Sequence, residues 1–88
     1  MYDYEFLQRY LEGERNFSGV DLSNLQLLGA NLTEVSLPQA KLVNANLSSA
    51  YLASANLERA NLTGANLSQA FLYRANLVST KLQSGNLA

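Results

Sequence analysis

The sequence predicts an all-β solenoid, a chain wound into coils that stack on one another, preceded by a short N-terminal capping helix. The first observation is a leucine at every fifth position from Leu22 to Leu87, fourteen in succession, with Phe17 one step earlier. The second is that the position two residues before each leucine is never charged and is alanine in nine of the fourteen cases. The third is that residues 1–15 lack this repeat and have a helical pattern.

A spacing of five fits neither common secondary structure. On an α-helix each step of five turns the side chain by roughly 140°, so the leucines would spiral around the rod. On a flat strand five is an odd number, so successive leucines would point to opposite faces. A bend in every repeat, always toward the leucine, keeps all leucines on the inner side and closes the chain into a coil. Such a coil buries its apolar side only when further coils stack on it.

The repeated motif resembles a known family. The pattern A-N-L-x-x, as in Ala55-Asn56-Leu57 and Ala60-Asn61-Leu62, looks like the pentapeptide-repeat family over about residues 16–88. The opening Gly13-Glu14-Arg15-Asn16-Phe17 is similar to the start of cyanobacterial members. The resemblance implies a right-handed quadrilateral β-helix with four repeats per coil. The chain then divides into a capping helix, residues 1–15, and a pentapeptide-repeat β-helix, residues 16–88.

Four repeats per coil place residues twenty apart directly above one another, at the strand spacing of about 4.8 Å. Tyr51 and Phe71 are twenty apart, and they are the only aromatic residues that directly precede a leucine of the repeat, so we expect their rings to stack. Asp21 and Lys41 should form a surface salt bridge, and pairs such as Asn56 and Asn76 amide ladders. Four interior columns follow: Phe17, Leu37, Leu57, Leu77; Leu22, Leu42, Leu62, Leu82; Leu27, Leu47, Leu67, Leu87; and Leu32, Leu52, Leu72.

The first residues predict a helix over 4–12. Asp3 is a candidate N-cap, Glu5 lies in the first turn, and Gly13 can end the helix. Four apolar residues share one face of this helix, and we expect them to cover the first coil near Phe17 and Val20. They are Phe6, Leu7, Tyr10 and Leu11.

Composition limits the function. Eighty-eight residues make one domain, and the chain has no cysteine for a disulfide or thiolate metal site and no histidine as metal ligand or general base. The serines and threonines therefore have no partner to activate them. We expect no enzyme activity, catalytic residue, metal or cofactor. No apolar run approaches the roughly 20 residues of a membrane span, and no basic leader opens the chain, which favours a cytoplasmic protein with no membrane partner.

Charge decides between two functions. Some members of the family that the chain resembles protect DNA gyrase by imitating the shape and negative charge of duplex DNA. The resemblance therefore implies such a mimic as one possible function. Residues 16–88 carry three carboxylates and four basic side chains, a net charge of +1, which disfavours such a mimic. The basic residues do not form a patch that would bind nucleic acid. The sequence therefore favours a non-enzymatic scaffold or protein-interaction module with an unidentified protein partner, and the alternative is a DNA mimic acting on gyrase.

Two surfaces are candidate contact sites. Tyr51, Phe71 and Tyr73 are expected on one face of the prism, either as a structural stack that shields the strand ladder or as anchors for a partner. Leu82 and Leu87 lie in the last coil, with no following turn to cover them. Such an open edge favours a homodimer through the C-terminal coils. The competing interpretation is that the chain is a fragment whose missing part supplies the cap.

Overall fold

A four-sided β-helix follows a single α-helix in the computed structural model of the chain. Helix α1 spans Asp3–Leu11, and the repeats form a prism. The whole molecule measures 32 × 22 × 21 Å along its three principal axes. Strand pairing consists of eleven single-residue parallel bridges, the first joining Asn16 to Ser36 and the last Asn66 to Asn86. Every bridge joins residues twenty apart, which confirms the predicted coil of four repeats.

The leucine columns are formed by backbone hydrogen bonds between coils. Leu57 N–H donates to the carbonyl of Asn76 in the next coil at 2.8 Å, and Asn56 N–H donates to Val35 in the preceding coil at 2.9 Å. Leu57 is thus in register with Leu77 and not with Leu72. All the central residues from Phe17 to Leu67 are at most 2% exposed. The predicted columns are confirmed, and the alanines two residues before the leucines, from Ala40 to Ala65, are equally buried.

The corners of the prism have a backbone conformation that the sequence did not reveal. The second residue after each leucine has a positive φ, as at Arg59 (60°) and Gly64 (72°). The next N–H bonds back to the leucine carbonyl, as from Ala60 to Leu57 at 3.0 Å. This combination is typical of a type II turn, whose second position also suits the fixed φ of Pro38. Eleven residues other than glycine adopt this conformation, which is uncommon for them.

Asparagine before the leucine stabilises these turns. The side-chain Oδ1 of Asn61 accepts a hydrogen bond from Thr63 N–H at 3.1 Å and another from the Thr63 hydroxyl at 2.6 Å. Asn16, Asp21, Asn31, Asn46, Asn56, Asn66, Asn76 and Asn86 accept the same backbone bond from two residues later. Asparagine and aspartate side chains commonly form this local bond with the backbone, in competition with hydrogen bonds to other groups. It accounts for the frequency of asparagine at this position.

Two side-chain ladders expected from the sequence are absent for that reason. Asn56 and Asn76 do not bond to each other; the Asn76 amide donates to Glu58 at 3.4 Å instead. The predicted Asp21–Lys41 salt bridge does not form. The one ion pair of the chain joins Arg9 to Glu14. The pKa of Asp21 is lowered mainly by hydrogen bonds from Ser23, with Lys41 adding a smaller attraction through space.

Helix α1 covers the first coil with two aromatic side chains. Phe6 is fully buried and meets Phe17 edge to face, with ring centroids 4.7 Å apart. Tyr10 is 8% exposed, and its hydroxyl donates to the Thr33 carbonyl at 2.7 Å. The helix therefore closes the N-terminal end of the core, as predicted from its apolar face. Leu7 is only partly buried against the same core, as is Val20.

Three details of the predicted helix are wrong. The helix occupies Asp3–Leu11 rather than 4–12, and its N-cap is Tyr2, so Asp3 is the first helical residue. The Asp3 carboxylate instead accepts the N–H of Tyr4 at 2.7 Å. Leu11 does not cover the first coil, because it is 78% exposed. The end of a single coil is narrow, and Phe6 with Tyr10 already fills it. Gly13 follows the helix with a φ of +103°, as expected for a stop.

Charged residues fix the end of α1 to the coil. Arg9 donates through Nε to Glu14 at 2.7 Å and lies over the Phe17 ring, 5.1 Å from its centroid. Arg15 lies 3.7 Å from the centroid of the Tyr10 ring and donates to the Tyr10 carbonyl at 2.8 Å. The hydrogen bond from Arg9 lowers the pKa of Glu14 below its ordinary value. These contacts set the angle at which α1 meets the solenoid.

Candidate interaction surface

One side of the prism carries stacked aromatic rings. We call this side the aromatic face and define it by the bridged column Asn31, Tyr51 and Phe71. The rings of Tyr51 and Phe71 are nearly parallel, at 5°, with centroids 4.8 Å apart. This equals the spacing of neighbouring strands, so the backbone ladder holds the rings in register. Tyr51 is 47% exposed and Phe71 52% exposed, which leaves a flat apolar surface open to solvent.

Tyr73 lies beside this face but outside the stack. It follows Leu72 at a corner of the prism, where its carbonyl accepts the N–H of Ser54 at 2.7 Å. Its ring is 71% exposed and contacts the guanidinium of Arg74, 5.4 Å from the ring centroid. The aromatic pair predicted by the twenty-residue period is therefore confirmed, and Tyr73 borders it at the corner.

A groove opens where α1 meets the aromatic face. It has a volume of about 300 Å³, and it lies between Leu7, Tyr10 and Leu11 of the helix and residues 26–31 of the solenoid. Leu28 projects from a corner and is 66% exposed. Asn31 lines the groove and is bridged to Tyr51. The groove, Asn31, Tyr51 and Phe71 thus follow one another along the solenoid axis and form a strip that is apolar except at Asn31.

Sequence reasoning did not find this groove. The apolar pattern of the helix assigns Leu11 to the cap. A signal is present in the helix itself, since Phe6 and Tyr10 are buried on the first coil while two further apolar residues share their face. Leu7, which packs partly against the core, and Leu11, which is exposed, line the groove opposite Leu28.

The charge around the aromatic face is asymmetric. Its corner after Leu32 and Leu72 carries Glu34 and Arg74, which are forty residues apart and therefore two coils apart in the same column. Glu34 stands at the level of the groove and Arg74 at the level of Phe71. The opposite corner of the face is uncharged, with Leu28, Gly29, Ser48, Ser49, Ser68 and Gln69. The Ser48 and Ser68 hydroxyls bond to each other at 3.1 Å.

The last coil presents an open edge. The backbone N–H groups of Leu72, Leu77 and Leu82 have no acceptor within the chain, whereas the matching groups one coil earlier are all bonded. Leu82 is partly buried and Leu87 is 56% exposed. This is the surface from which the sequence predicted a homodimer.

Neither a metal site nor a membrane span is found in the structure. No three acidic, histidine or cysteine side chains are grouped so as to hold a metal ion. No helix is long and apolar enough to span a bilayer.

Comparison with known proteins identifies the repeat. The family described as pentapeptide repeats matches in eight copies, over residues 16–52, 40–78 and 55–87. The chain belongs to the pentapeptide-repeat family. Family members of known structure are right-handed quadrilateral β-helices, and this chain has that fold with a short N-terminal helix. No curated protein matches the chain.

Three similar solved structures come from cyanobacteria. HetL of Nostoc, a pentapeptide repeat protein involved in heterocyst differentiation regulation, is 36% identical with a TM-score of 0.57; the match covers 100% of this chain and 44% of HetL. Rfr23 of Cyanothece is 33% identical over 78% of this chain and 57% of its own, with a TM-score of 0.41. A further protein from Nostoc, alr5209, is 28% identical over 90% of this chain and 74% of its own, with a TM-score of 0.42. The chain thus spans less than half of HetL.

Proposed function

We propose that this pentapeptide-repeat protein is a non-enzymatic interaction module, a cytoplasmic scaffold in a cyanobacterium, that binds a protein partner through the aromatic face. The observation that carries the proposal is the flat, half-exposed stack of Tyr51 and Phe71 beside an apolar groove. Aromatic side chains with large exposed area and few rotatable bonds are typical anchors of protein interfaces.

The hydrogen bonds favour an anchor over a purely structural stack. On the aromatic face Tyr51 N–H donates to Ala30 at 2.9 Å and Leu52 N–H to Phe71 at 2.8 Å. On a side without aromatic rings, the corresponding bonds of Asn56 and Leu57 are 2.9 and 2.8 Å. Because the ladder has the same geometry with and without the rings, shielding by Tyr51 and Phe71 is not needed to maintain it. Their exposure is left for another molecule to cover.

The chemistry of the side chains supports binding rather than catalysis. Without histidine or cysteine, no serine has a base to activate it, and the carboxylates Asp21, Glu34 and Glu58 lie on different repeats. The proposal includes no cofactor, metal, nucleic acid or membrane. The regulatory involvement of HetL is of the kind that a binding protein can provide, and it is consistent with this role.

The alternative, a DNA mimic acting on gyrase, requires rows of carboxylates along the prism. The repeats carry three carboxylates against four basic side chains. A supercoiling assay with purified gyrase tests this alternative directly. We expect no inhibition at concentrations where an acidic member of the family inhibits, and inhibition would replace the interaction-module proposal.

Affinity capture tests the proposed function. Immobilised wild-type protein and the Phe71→Ser variant are compared in a cyanobacterial lysate, with Val78→Ser as the matched control. Val78 is an exposed apolar residue, at 62%, on a corner away from the aromatic face. We expect a protein captured by the wild type and by Val78→Ser but not by Phe71→Ser. Equal capture by all three variants would contradict the assignment of the aromatic face.

A further inference from the structure

We infer that the partner presents an amphipathic α-helix, which lies along the solenoid axis and inserts its first apolar residue into the groove between α1 and the solenoid. The inference rests on the proposed function and specifies the chemistry of the partner. Three observations support it: the spacing of the apolar strip, the pairing of the backbone between the coils of the aromatic face, and the charges at its two ends.

The spacing of the strip matches a helix better than a strand. Phe71 and Tyr51 are 4.8 Å apart, and the groove begins one coil further on, at Asn31. A helix rises about 1.5 Å per residue, so apolar residues at i, i+3 or i+4, and i+7 are spaced about 5 and 10 Å from the first. Two coils span about 9.6 Å. Side chains on one face of a strand repeat about every 6.6 Å, so two repeats span about 13 Å. This is more than about 3 Å longer than the two coils.

Between its coils, the backbone of the aromatic face is fully paired. Tyr51 N–H is bonded to Ala30 in the coil above, and Leu52 N–H is bonded to Phe71 in the coil below. Strand addition to a sheet requires an open edge. The unpaired N–H groups of this face lie at its two ends, at Asn31 in the first coil and Leu72 in the last, where an added strand would continue the stack of coils and would not lie along the solenoid axis. An occupant of the aromatic face is therefore held by side chains, as a helix is when it binds in a groove.

The two charges at the corner set the direction of the helix. Glu34 lies at the level of the groove and Arg74 two coils away, at the level of Phe71. The N-terminus of a helix carries partial positive charge and its C-terminus partial negative charge. The partner helix is thus oriented with its N-terminal end and a basic residue near Glu34, and with its C-terminal end and an acidic residue near Arg74. The uncharged corner formed by Leu28, Ser48 and Ser68 receives its other flank.

The apolar area also fits a helix. Leu11 and Leu28 stand on either side of the groove, exposed to 78% and 66%, and each would be covered by a side chain seated between them. A groove of about 300 Å³ accepts one large apolar side chain, such as leucine or phenylalanine, from the i position.

Selection from a library of helices tests the inference. Single stable α-helices with randomised surface positions are displayed and selected on the full-length protein, and the affinity of the best synthetic helix is measured by calorimetry. We expect the selected helices to share apolar residues at i, i+4 and i+7, with a basic residue near the N-terminal end and an acidic residue near the C-terminal end. Phe71→Ser and Leu28→Asp should each weaken binding at least about tenfold, and Val78→Ser should leave it unchanged.

A charge exchange tests the direction. Arg74→Glu should weaken binding of the selected helix, and a helix whose acidic residue is replaced by lysine should restore it. Three results would overturn the inference: no helix enriched, helices that bind Phe71→Ser as tightly as the wild type, or self-association of the wild type that Phe71→Ser abolishes. If no helix is enriched but a protein is still captured from the lysate in a Phe71-dependent way, the partner is not a helix and the proposed function stands. If capture from the lysate does not depend on Phe71, the proposed function is rejected.

Discussion

The two ends of the solenoid carry the same repeat and differ in how well they bury it. At the N-terminal end α1 places Phe6 against Phe17, which is 1% exposed. At the C-terminal end Leu72, Leu77 and Leu82 are only partly buried, and Leu87 is 56% exposed. Each coil therefore owes its burial to the elements that cover it, because one coil encloses too little apolar surface by itself.

Removal of α1 should abolish this difference between the two ends, and of the changes considered it should lower the stability of the protein most. Deleting residues 1–12 uncovers Phe17 and the first coil, so both ends become open. We expect the deletion to lower the midpoint of thermal unfolding and to cause aggregation, measured by light scattering during heating. A deletion variant that remains soluble and equally stable would show that α1 is no cap.

Leucine truncation should have a large effect inside the solenoid and a small one at its C-terminal end. Leu57 is fully buried between two coils, and Leu57→Ala should lower the free energy of unfolding by about 2–5 kcal/mol. Leu82→Ala removes the same atoms from a partly exposed site and should cost about 1 kcal/mol. Chemical denaturation of both variants measures the gap, and equal losses would mean that burial at the two positions does not differ.

A turn asparagine should matter less than a core leucine. Asn61→Ala removes the acceptor of both the N–H and the hydroxyl of Thr63, and we expect a loss of about 1–2 kcal/mol. Asn61→Asp keeps the acceptor and is the control. Denaturation curves in which alanine and aspartate behave alike would contradict the role assigned to Oδ1.

The open C-terminal end is expected to form a dimer, whereas the N-terminal end is covered by α1. Loss of the dimer should change the stability of the folded chain only slightly. If the open edge of the last coil pairs with itself, the 88-residue chain sediments as a dimer, and Leu87→Lys restores the monomer while Phe71→Ala does not. Dissociation by Phe71→Ala but not by Leu87→Lys would place the interface on the aromatic face. A monomer at high concentration would exclude the dimer.

The smallest effect concerns the ion pair at the base of α1. The Arg9 hydrogen bond lowers the pKa of Glu14 below its ordinary value of 4.5, so the folded state favours the carboxylate. The stabilisation is complete above that ordinary value and is lost as the pH falls below it, through the lower pKa of the folded state. Glu14→Gln should remove this part of the pH dependence. Urea unfolding at several pH values between about 3 and 6 checks it, and parallel wild-type and variant curves would contradict it.

The residues that were predicted correctly follow the repeat. The spacing of leucines sets the columns, and the twenty-residue period places Phe71 over Tyr51, because pairing in a stacked coil is fixed by counting along the chain. The residues that were predicted wrongly depend on local geometry or on contacts between α1 and the solenoid. Asn56 bonds its own turn rather than Asn76, and Asp21 bonds Ser23 rather than Lys41. At these two positions the short-range bond forms and the exposed pair across coils does not, whereas Asn46 makes both, with Ser48 and with Gln26.

The five-residue repeat predicted a solenoid and the inner and outer positions of every repeat, because a period is a property of the chain alone. The resemblance to the pentapeptide-repeat family added four repeats per coil, from which the register and the aromatic stack follow. No repeat predicts that Leu11 points away from the first coil or that Leu7, Leu11 and Leu28 enclose a groove beside Asn31. The reason is that the angle of α1 against the coil is set by Phe6 on Phe17, by Tyr10 on Thr33 and by Arg9 with Glu14, contacts between residues that no repeat relates.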